Sequence, residues 1–404
     1  MTGPFDREEL RARGDRARAL MERDGLDALI VTGDFSAGSN YYYLSGHMPR
    51  DYQLNFSRPH VMILPREGEP FLYIYGVNTE NARGQSWVDD VASYAPPFAG
   101  SGLADAIIAR GIDRGRIGAE LGIDQRMAMP VLELRALEAQ LENATLVDAS
   151  ALLWELRAIK SEAEVAYIAE ADRINGQGLA LAFSRLSEGD SEVDAAQTVG
   201  AALIESGATR PPYAQLLLVS EAKSRALGHS ARMLGPLPDY KLSNGDLLFV
   251  DSGVINSGYW GEFNRMAVVG EPSAEQRRHH DNIRDVVGRS VDEALRPGVT
   301  FRNVIEQMAT FYRDAGYTEE QFGNYLGPPY MHLCHGLGLA GSEPPFVRYD
   351  SEEELRPGMV LSCEAYLRDG DMTYGSEEDV VITEDGCRVL SERDPGLYVI
   401  GNGA

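Results

Sequence analysis

The sequence has few cysteines, a deficit of positive charge and no long apolar run. Three cysteines in 404 residues do not make a disulfide framework, which needs dense and paired cysteines. The chain has 37 lysines and arginines against 62 aspartates and glutamates, and this net charge of −25 argues against nucleic acid and anionic membranes as partners. A run of about 18 apolar residues, as a membrane span requires, does not occur, and the charged N-terminal stretch has no apolar signal core. We therefore expect a cytoplasmic protein.

The length and the residue pattern predict two globular domains. At 404 residues the chain can form two sizeable cores, and 44% hydrophobic with 25% charged residues is ordinary globular composition. Strand-like and helix-like segments alternate up to about residue 149, which predicts an α/β domain. Lys160 and Ser161 then interrupt the pattern, and Ser161 predicts the N-cap of a helix over 162–186. We expect one domain over residues 1–155 and a second over 156–404.

Residues 247–270, LLFVDSGVINSGYWGEFNRMAVVG, predict a β-hairpin with one carboxylate on each arm. The turn is expected at Asn256, Ser257 and Gly258, between an apolar run and a return strand rich in aromatic and β-branched residues. Asp251 lies on the first arm and Glu262 on the second. An acid in a buried strand must be paired or bound to a cation, because an isolated ionised carboxylate is too costly to desolvate.

Candidate partners for the two acids lie downstream in short apolar segments: His335, Glu364 and Glu378. Carboxylates with one imidazole are the ligand set expected for Mn²⁺, Fe²⁺, Co²⁺ or Zn²⁺, and four carboxylates would balance two divalent ions. Without metal each like-charge pair at about 4 Å would cost roughly 4 kcal/mol. Cys334 and Cys363 directly precede His335 and Glu364, so on strands they face away from these ligands. We predict one or two divalent ions held by Asp251, Glu262, His335, Glu364 and Glu378.

These five residues, with HGLGL around the histidine and EDVVIT at the last acid, resemble the pita-bread family of methionine aminopeptidase, aminopeptidase P, prolidase and creatinase. The resemblance implies a C-terminal α+β domain with a curved antiparallel sheet that carries a two-metal centre. Residues 40–46, NYYYLSG, resemble the signature of the creatinase-type α/β N-terminal domain. The second ligand is usually Asp in the family; here it is Glu262, as in creatinase, which works without metal.

The resemblance also implies catalytic roles. His229 matches a histidine that contacts substrate or passes a proton, and Glu262 and Glu364 would act on the reacting groups as well as on metal. The peptidases usually have a second histidine where this chain has Ser342, followed by Glu343, and an arginine where it has Ser376. These departures disfavour ordinary Xaa-Pro peptidase chemistry.

Other stretches resemble family members that act on small carboxylates. Phe56 and Arg58 lie in a segment similar to one that, in creatinase, reaches into the neighbouring subunit and holds the substrate carboxylate. This implies a homodimer whose site is completed by the partner's N-terminal domain. Arg348 would be a second carboxylate clamp. The sequence from His335 onwards also resembles that of the family's dimethylsulfoniopropionate lyase. The nearest counterparts of that lyase's catalytic base in this chain are Ser342 and Glu343.

The leading hypothesis is a metal-dependent hydrolase that cleaves a C–N bond (peptide, amide or amidine) in a small carboxylate-bearing substrate or short peptide. Three alternatives remain open. The first is a lyase of the dimethylsulfoniopropionate type, the second an Xaa-Pro peptidase such as prolidase or aminopeptidase P, and the third an inactive peptide-binding module.

Overall fold

The computed structural model describes residues 3–34, 38–48, 58–209, 216–228, 234–326 and 332–401. The chain divides into two compact units, Met1–Arg157 and Ala158–Ala404, two residues beyond the boundary expected from the sequence. Along the described ranges, every helix is too short or too polar to cross a lipid bilayer.

The first unit is an α/β domain built on one mixed six-stranded sheet. Its strand order is β4-β3-β2-β1-β5-β6. The strand β1 is buried along its whole length; it pairs antiparallel with β2 and parallel with β5. In chain order the elements are α1 (Arg7–Asp24), β1 (Ala28–Gly33), α2 (Ser39–Ser45), β2 (His60–Pro65), β3 (Phe71–Tyr75), a 3-10 turn (Gly76–Asn78), α3 (Thr79–Gln85), β4 (Asp90–Tyr94), α4 (Gly100–Ile108), β5 (Arg114–Ala119), α5 (Val131–Gln140), β6 (Asn143–Asp148) and α6 (Ser150–Ala158).

The second unit carries a five-stranded antiparallel sheet and a four-stranded sheet. Their strand orders are β11-β10-β12-β13-β14 and β15-β9-β8-β7. The last strand, β15, pairs parallel with β9, so the second sheet is mixed. In chain order the elements are α7 (Glu162–Arg185), α8 (Glu192–Glu205), β7 (Leu217–Ser220), α9 (Glu221–Leu227), β8 (Leu247–Asn256), β9 (Tyr259–Val269), α10 (Ala274–Arg289), a π-helical turn (Ser290–Ala294), α11 (Phe301–Asp314), α12 (Glu319–Leu326), β10 (His332–Gly336), β11 (Glu343–Arg348), β12 (Val360–Asp369), β13 (Met372–Ile382), β14 (Cys387–Val389) and β15 (Tyr398–Ile400).

The predicted hairpin is confirmed as β8 and β9. Ser257 and Gly258 form its two-residue turn with φ angles of 52° and 92°, the backbone that matches the right-handed twist of paired strands. This turn sets the register, so that Asp251 pairs with Asn264 and Gly253 pairs with Glu262. Residues directly opposite share a face, which places Asp251 and Glu262 on the same side of the hairpin.

The helix predicted after Ser161 is also confirmed. The Ser161 hydroxyl accepts from the backbone N–H of Glu164, and the Glu164 carboxylate accepts from the N–H of Ser161, which together form a capping box. The helix α7 then runs from Glu162 and packs against β8 and β9. The structure confirms the predicted fold class, an α/β N-terminal domain followed by a pita-bread domain.

Candidate metal centre

The hairpin brings two acids to one face beside the strand β13. Asp251 is partly exposed, whereas Glu262 is 4% exposed. The backbone N–H of Glu262 donates to Oδ2 of Asp379 at 3.1 Å. This hydrogen bond joins β9 of the four-stranded sheet to β13 of the five-stranded sheet at the site itself.

His335 and Glu364 reach the same place from β10 and β12. Nε2 of His335 lies 3.4 Å from Oε1 of Glu262 and 3.2 Å from Oε1 of Glu364. The strands β10 and β12 pair Cys334 with Cys363, so the residues that follow them, His335 and Glu364, project together on the opposite face. Both cysteines are buried in the core, as the sequence predicts.

The last acid of the cluster is Glu377, and this corrects the prediction of Glu378. Glu377 lies directly opposite Glu364 in the antiparallel pair of β12 and β13. Ligand atoms of Glu262, His335 and Glu377 all lie within 4.8 Å of one another. Glu378 faces the other way: its carboxylate accepts from the backbone N–H of Asp394 at 2.6 Å and lies 3.5 Å from Nη2 of Arg265. Successive strand residues alternate faces, so Glu377 and Glu378 cannot both reach the site.

Hydrogen-bond donors hold the carboxylate of Glu377 in place. Oε1 accepts from the Ser362 hydroxyl at 2.5 Å, and Oε2 accepts from the backbone N–H and the side-chain amide of Asn264 at 2.9 and 2.7 Å. The carboxylate of Glu364 is held too, because Tyr366 donates its hydroxyl to Oε2 at 2.5 Å. Such partners orient ligands and tune their basicity.

Burial and mutual repulsion raise the pKa values of the site acids. Desolvation is the larger cause for Glu262 and Glu377, and the neighbouring carboxylates, Asp251 among them, add to it. Burial lowers the pKa of His335, but the hydrogen bond and charge of Glu364 outweigh it and the net shift is upward. The acids therefore bind protons more readily than free carboxyls unless a cation supplies the missing charge.

Two buried aspartates, Asp172 and Asp379, lie behind the candidate ligands. Asp172 on α7 is fully buried and contacts Asp379, and burial raises the pKa of Asp172 to about 8. Burial and the neighbouring charge of Asp172 raise the pKa of Asp379. This pair supports the backbone of Glu262 through Asp379.

The described residues fit one or two divalent ions. Ligand atoms of Glu262, His335 and Glu377 lie within 4.8 Å of one another, Glu364 lies 3.2 Å from His335, and Asp251 shares the hairpin face of Glu262. Hard oxygen donors with one imidazole suit Mn²⁺, Fe²⁺, Co²⁺ or Zn²⁺. Burial and mutual repulsion raise the pKa values of Glu262 and Glu377, and a bound cation would offset both effects.

The structure shows the surroundings of three predicted substrate contacts. Glu343 is 1% exposed, and its carboxylate lies 3.2 Å from Nζ of the equally buried Lys160, which argues against a contact with substrate. Ser342 is exposed. Arg348 is 40% exposed and pairs with Asp350 through contacts of 2.8 and 2.7 Å, which argues against its role as a carboxylate clamp.

Four other residues that the sequence analysis named are not found in the described part of the site. Phe56 and His229 lie outside the described residues. Arg58 belongs to the first unit, where its guanidinium lies 5.5 Å from the centre of the Tyr75 ring. Ser376 is buried and donates its hydroxyl to Asp394 at 2.8 Å, on the same strand face as Glu378. The roles of the first three stay predictions.

The sequence analysis missed Glu377 and the donors Asn264, Ser362 and Tyr366. A signal for Glu377 was present in the turn between β12 and β13, where Gly370 has a φ of 55°. Counting back from the pair Asp369 and Met372 beside this turn places Glu364 opposite Glu377. No comparable local signal identifies the donors, because their contacts depend on the packing of the two sheets.

Two family models match the chain. Residues 166–384 match metallopeptidase family M24, and residues 13–159 match the Creatinase/Prolidase N-terminal domain. An Xaa-Pro dipeptidase of Pyrococcus furiosus is 27% identical over 280 residues, which are 69% of this chain and 75% of the dipeptidase.

Solved structures share the fold over nearly the whole length. An X-Pro aminopeptidase from Thermotoga maritima superposes with a TM-score of 0.78 at 21% identity, covering 94% of this chain and 99% of that one. The prolidase from Pyrococcus horikoshii gives 0.76 at 23% identity, covering 95% and 99%. The family M24 model matches more than half of the residues of the present chain. The chain therefore belongs to metallopeptidase family M24, and it is a metallohydrolase with the pita-bread fold.

Proposed function

We propose that this chain is a metal-dependent peptidase that hydrolyses short Xaa-Pro peptides. The observation that carries the proposal is the cluster of buried ligand atoms within 4.8 Å of one another, in a chain whose M24 relatives include proteins named Xaa-Pro dipeptidases. The proposal adopts the Xaa-Pro alternative from the sequence rather than its leading hypothesis. The second clamp residue that would favour other small carboxylates loses its support, because Arg348 is already paired with Asp350.

Five residues would hold the metal in this proposal: Asp251, Glu262, His335, Glu364 and Glu377. When bound, a divalent ion lowers the pKa of a coordinated water towards neutrality and polarises a carbonyl oxygen. Glu377 and Glu262 are the most enclosed of the carboxylates and are assigned to binding alone.

Glu364 is assigned to proton transfer as well. Its side chain is 14% exposed, more than His335 or Glu262, so substrate and water can reach it. Its Oε2 accepts from the Tyr366 hydroxyl and its Oε1 lies beside His335, so the carboxylate is held where it can take a proton from the attacking water and return it to the departing amine. The departing group in an Xaa-Pro peptide is the secondary amine of proline.

An aromatic side chain borders the ligands and suits a proline ring. Trp260 lies on the same face of β9 as Glu262 and is partly exposed. A methyl group built on Gly253 would lie 3.0 Å from its indole and 3.1 Å from Cβ of Glu262, so the glycine allows the indole to approach the acid closely. The flat indole face can pack against the apolar pyrrolidine ring of a substrate.

The test is hydrolysis of a matched peptide panel by protein that has been stripped with chelator and reloaded with Mn²⁺, Co²⁺ or Zn²⁺. We expect proline release from Xaa-Pro dipeptides only after reloading, and none from Pro-Xaa dipeptides. Glu377→Gln should abolish release, whereas Arg348→Ala should leave it unchanged.

The panel also separates the alternatives. N-acyl amino acids and creatine report the broader C–N hydrolase, and a sulfonium carboxylate reports the lyase. Turnover of one of these without any turnover of Xaa-Pro peptides would contradict the proposal. The homodimer and the cytoplasmic location stay predictions from the sequence.

A further inference from the structure

Tyr366 contacts a proposed metal ligand directly. Its hydroxyl lies 2.5 Å from Oε2 of Glu364, and Nδ2 of Asn264 lies 3.5 Å from the same hydroxyl. Tyr366 and Glu364 are two residues apart on β12 and therefore share a face. The contact is charge-assisted and short, the kind of hydrogen bond that is stronger than a neutral one.

The Tyr366 ring occupies the space above a glycine on the neighbouring strand. Tyr366 lies opposite Gly375 across the strands β12 and β13. A methyl group built on Gly375 would lie 2.9 Å from the Tyr366 ring and 2.7 Å from the ring of Phe249. A side chain at position 375 would collide with the ring, so the glycine allows Tyr366 to reach Glu364.

The backbone of Tyr366 is held from the core side. The Tyr312 hydroxyl donates to the carbonyl oxygen of Tyr366 at 2.9 Å and accepts from its N–H at 2.8 Å. Both the ring and the backbone of Tyr366 are thus fixed, which makes its hydroxyl a rigid donor.

We propose that Tyr366 is a positioning residue of the metal centre: its hydroxyl holds Oε2 of Glu364 and leaves Oε1, which faces His335, as the oxygen directed at the other ligands. The inference rests on the proposed role of Glu364 as a metal ligand. It assigns Tyr366 no contact with substrate.

The test compares two tyrosines that make the same kind of bond. Tyr366→Phe removes the hydroxyl that donates to Glu364 and keeps the aromatic ring over Gly375. Tyr259→Phe is the matched control, because the Tyr259 hydroxyl also donates to a buried glutamate, Glu164, at 2.8 Å, and Glu164 is not part of the cluster. Both variants and the wild-type protein are stripped with chelator, their melting temperatures are compared, and Mn²⁺ binding is measured by calorimetry.

We expect Tyr366→Phe to weaken Mn²⁺ binding about 10- to 100-fold, the usual effect of losing a partner of a metal ligand. The control should bind within about twofold of the wild type, and the melting temperatures of the two stripped variants should be similar. On a peptide cleaved by the wild type, Tyr366→Phe at saturating Mn²⁺ should lower kcat and leave KM unchanged.

Gly375→Ala provides a second route to the same contact. The added methyl group would collide with the rings of both Phe249 and Tyr366 and displace them, while Tyr366 keeps its hydroxyl, so Mn²⁺ binding should weaken here too. Wild-type Mn²⁺ affinity in a folded Gly375→Ala protein would count against the proposal.

Several outcomes would overturn the inference. Wild-type affinity in Tyr366→Phe would do so, as would equal weakening in Tyr366→Phe and Tyr259→Phe, which would indicate general loosening. Failure of Tyr366→Phe to fold would show that the hydroxyl serves the fold instead of Glu364. A wild-type protein that binds no divalent ion would remove the proposed function itself, a result distinct from the others.

Discussion

Exchanging Glu377 and Glu378 for glutamine, one at a time, should separate metal binding from stability. Glu377 converges with Glu262 and His335, whereas Glu378 points away towards Arg265. In the folded protein without metal the pKa of Glu377 is raised by burial first and by Glu364 next, so its charged form is disfavoured there. Replacing this acid with a neutral amide should therefore leave the stripped protein at least as stable as the wild type.

The amide of Glu377→Gln fits the existing donors. Its oxygen can accept from the two Asn264 N–H groups, and its NH₂ can donate to the Ser362 hydroxyl, which can accept as well as donate. What it loses is an anionic metal ligand. At a metal concentration of 100 times Kd, the wild type gains about 2.7 kcal/mol from binding, and the variant should lose most of this gain.

Glu378→Gln should behave in the opposite way. It removes the negative charge 3.5 Å from Arg265, whose side chain is only 2% exposed. Breaking a buried pair costs about 3 to 5 kcal/mol. We expect the lower end, because burial raises the pKa of Glu378 against the pull of Arg265, and because Arg265 still donates to the backbone carbonyls of Asn264, Glu377 and Glu392. At roughly 2–4 °C per kcal/mol for domains of 150–250 residues, this is a fall in Tm of about 6–12 °C.

The assay is thermal unfolding of the stripped proteins with and without added Mn²⁺. Glu377→Gln should keep its Tm and lose the rise on adding metal, whereas Glu378→Gln should lose Tm and keep the rise. The reverse pattern would refute the assignment of Glu377 and restore Glu378 as the ligand.

Three further predictions concern buried and exposed charges. The pKa of Asp172 is about 8 in the folded protein against a reference of 3.8, so the folded state keeps a proton that the unfolded state has lost, and stability of the stripped protein should fall as pH rises from about 4 to 8. Urea unfolding of Asp172→Asn at several pH values should show a flatter profile; parallel profiles would contradict this. Glu343→Gln should cost about 3–5 kcal/mol in chemical denaturation by leaving Lys160 buried and unpaired, with metal stoichiometry unchanged, and a loss of metal would return Glu343 to the site. Arg348→Ala should change stability by less than about 1 kcal/mol and KM by less than about twofold, because its pair with Asp350 is exposed, and a tenfold rise in KM would revive the clamp.

The sequence by itself determined the fold class and indicated four of the five residues that we propose as metal ligands. The hairpin could be predicted because its signal is local: a two-residue turn with Gly258 between apolar strands. Asp251, Glu262, His335 and Glu364 could be predicted because charged residues within apolar strands require compensation, and their order in the chain matches the family. These inferences need only neighbours in sequence and the desolvation cost of a carboxylate.

Only the tertiary structure decided which face each side chain occupies and what it meets there. Glu377 and Glu378 are adjacent and chemically identical, and the pairing of β13 with β12 alone directs one to the metal ligands and the other to Arg265. Glu343 is neutralised by Lys160, a partner 183 positions away that no local pattern indicates. Strand alternation makes the face depend on register, and register depends on a turn and on contacts with distant strands, so a shift of one residue would exchange the two faces.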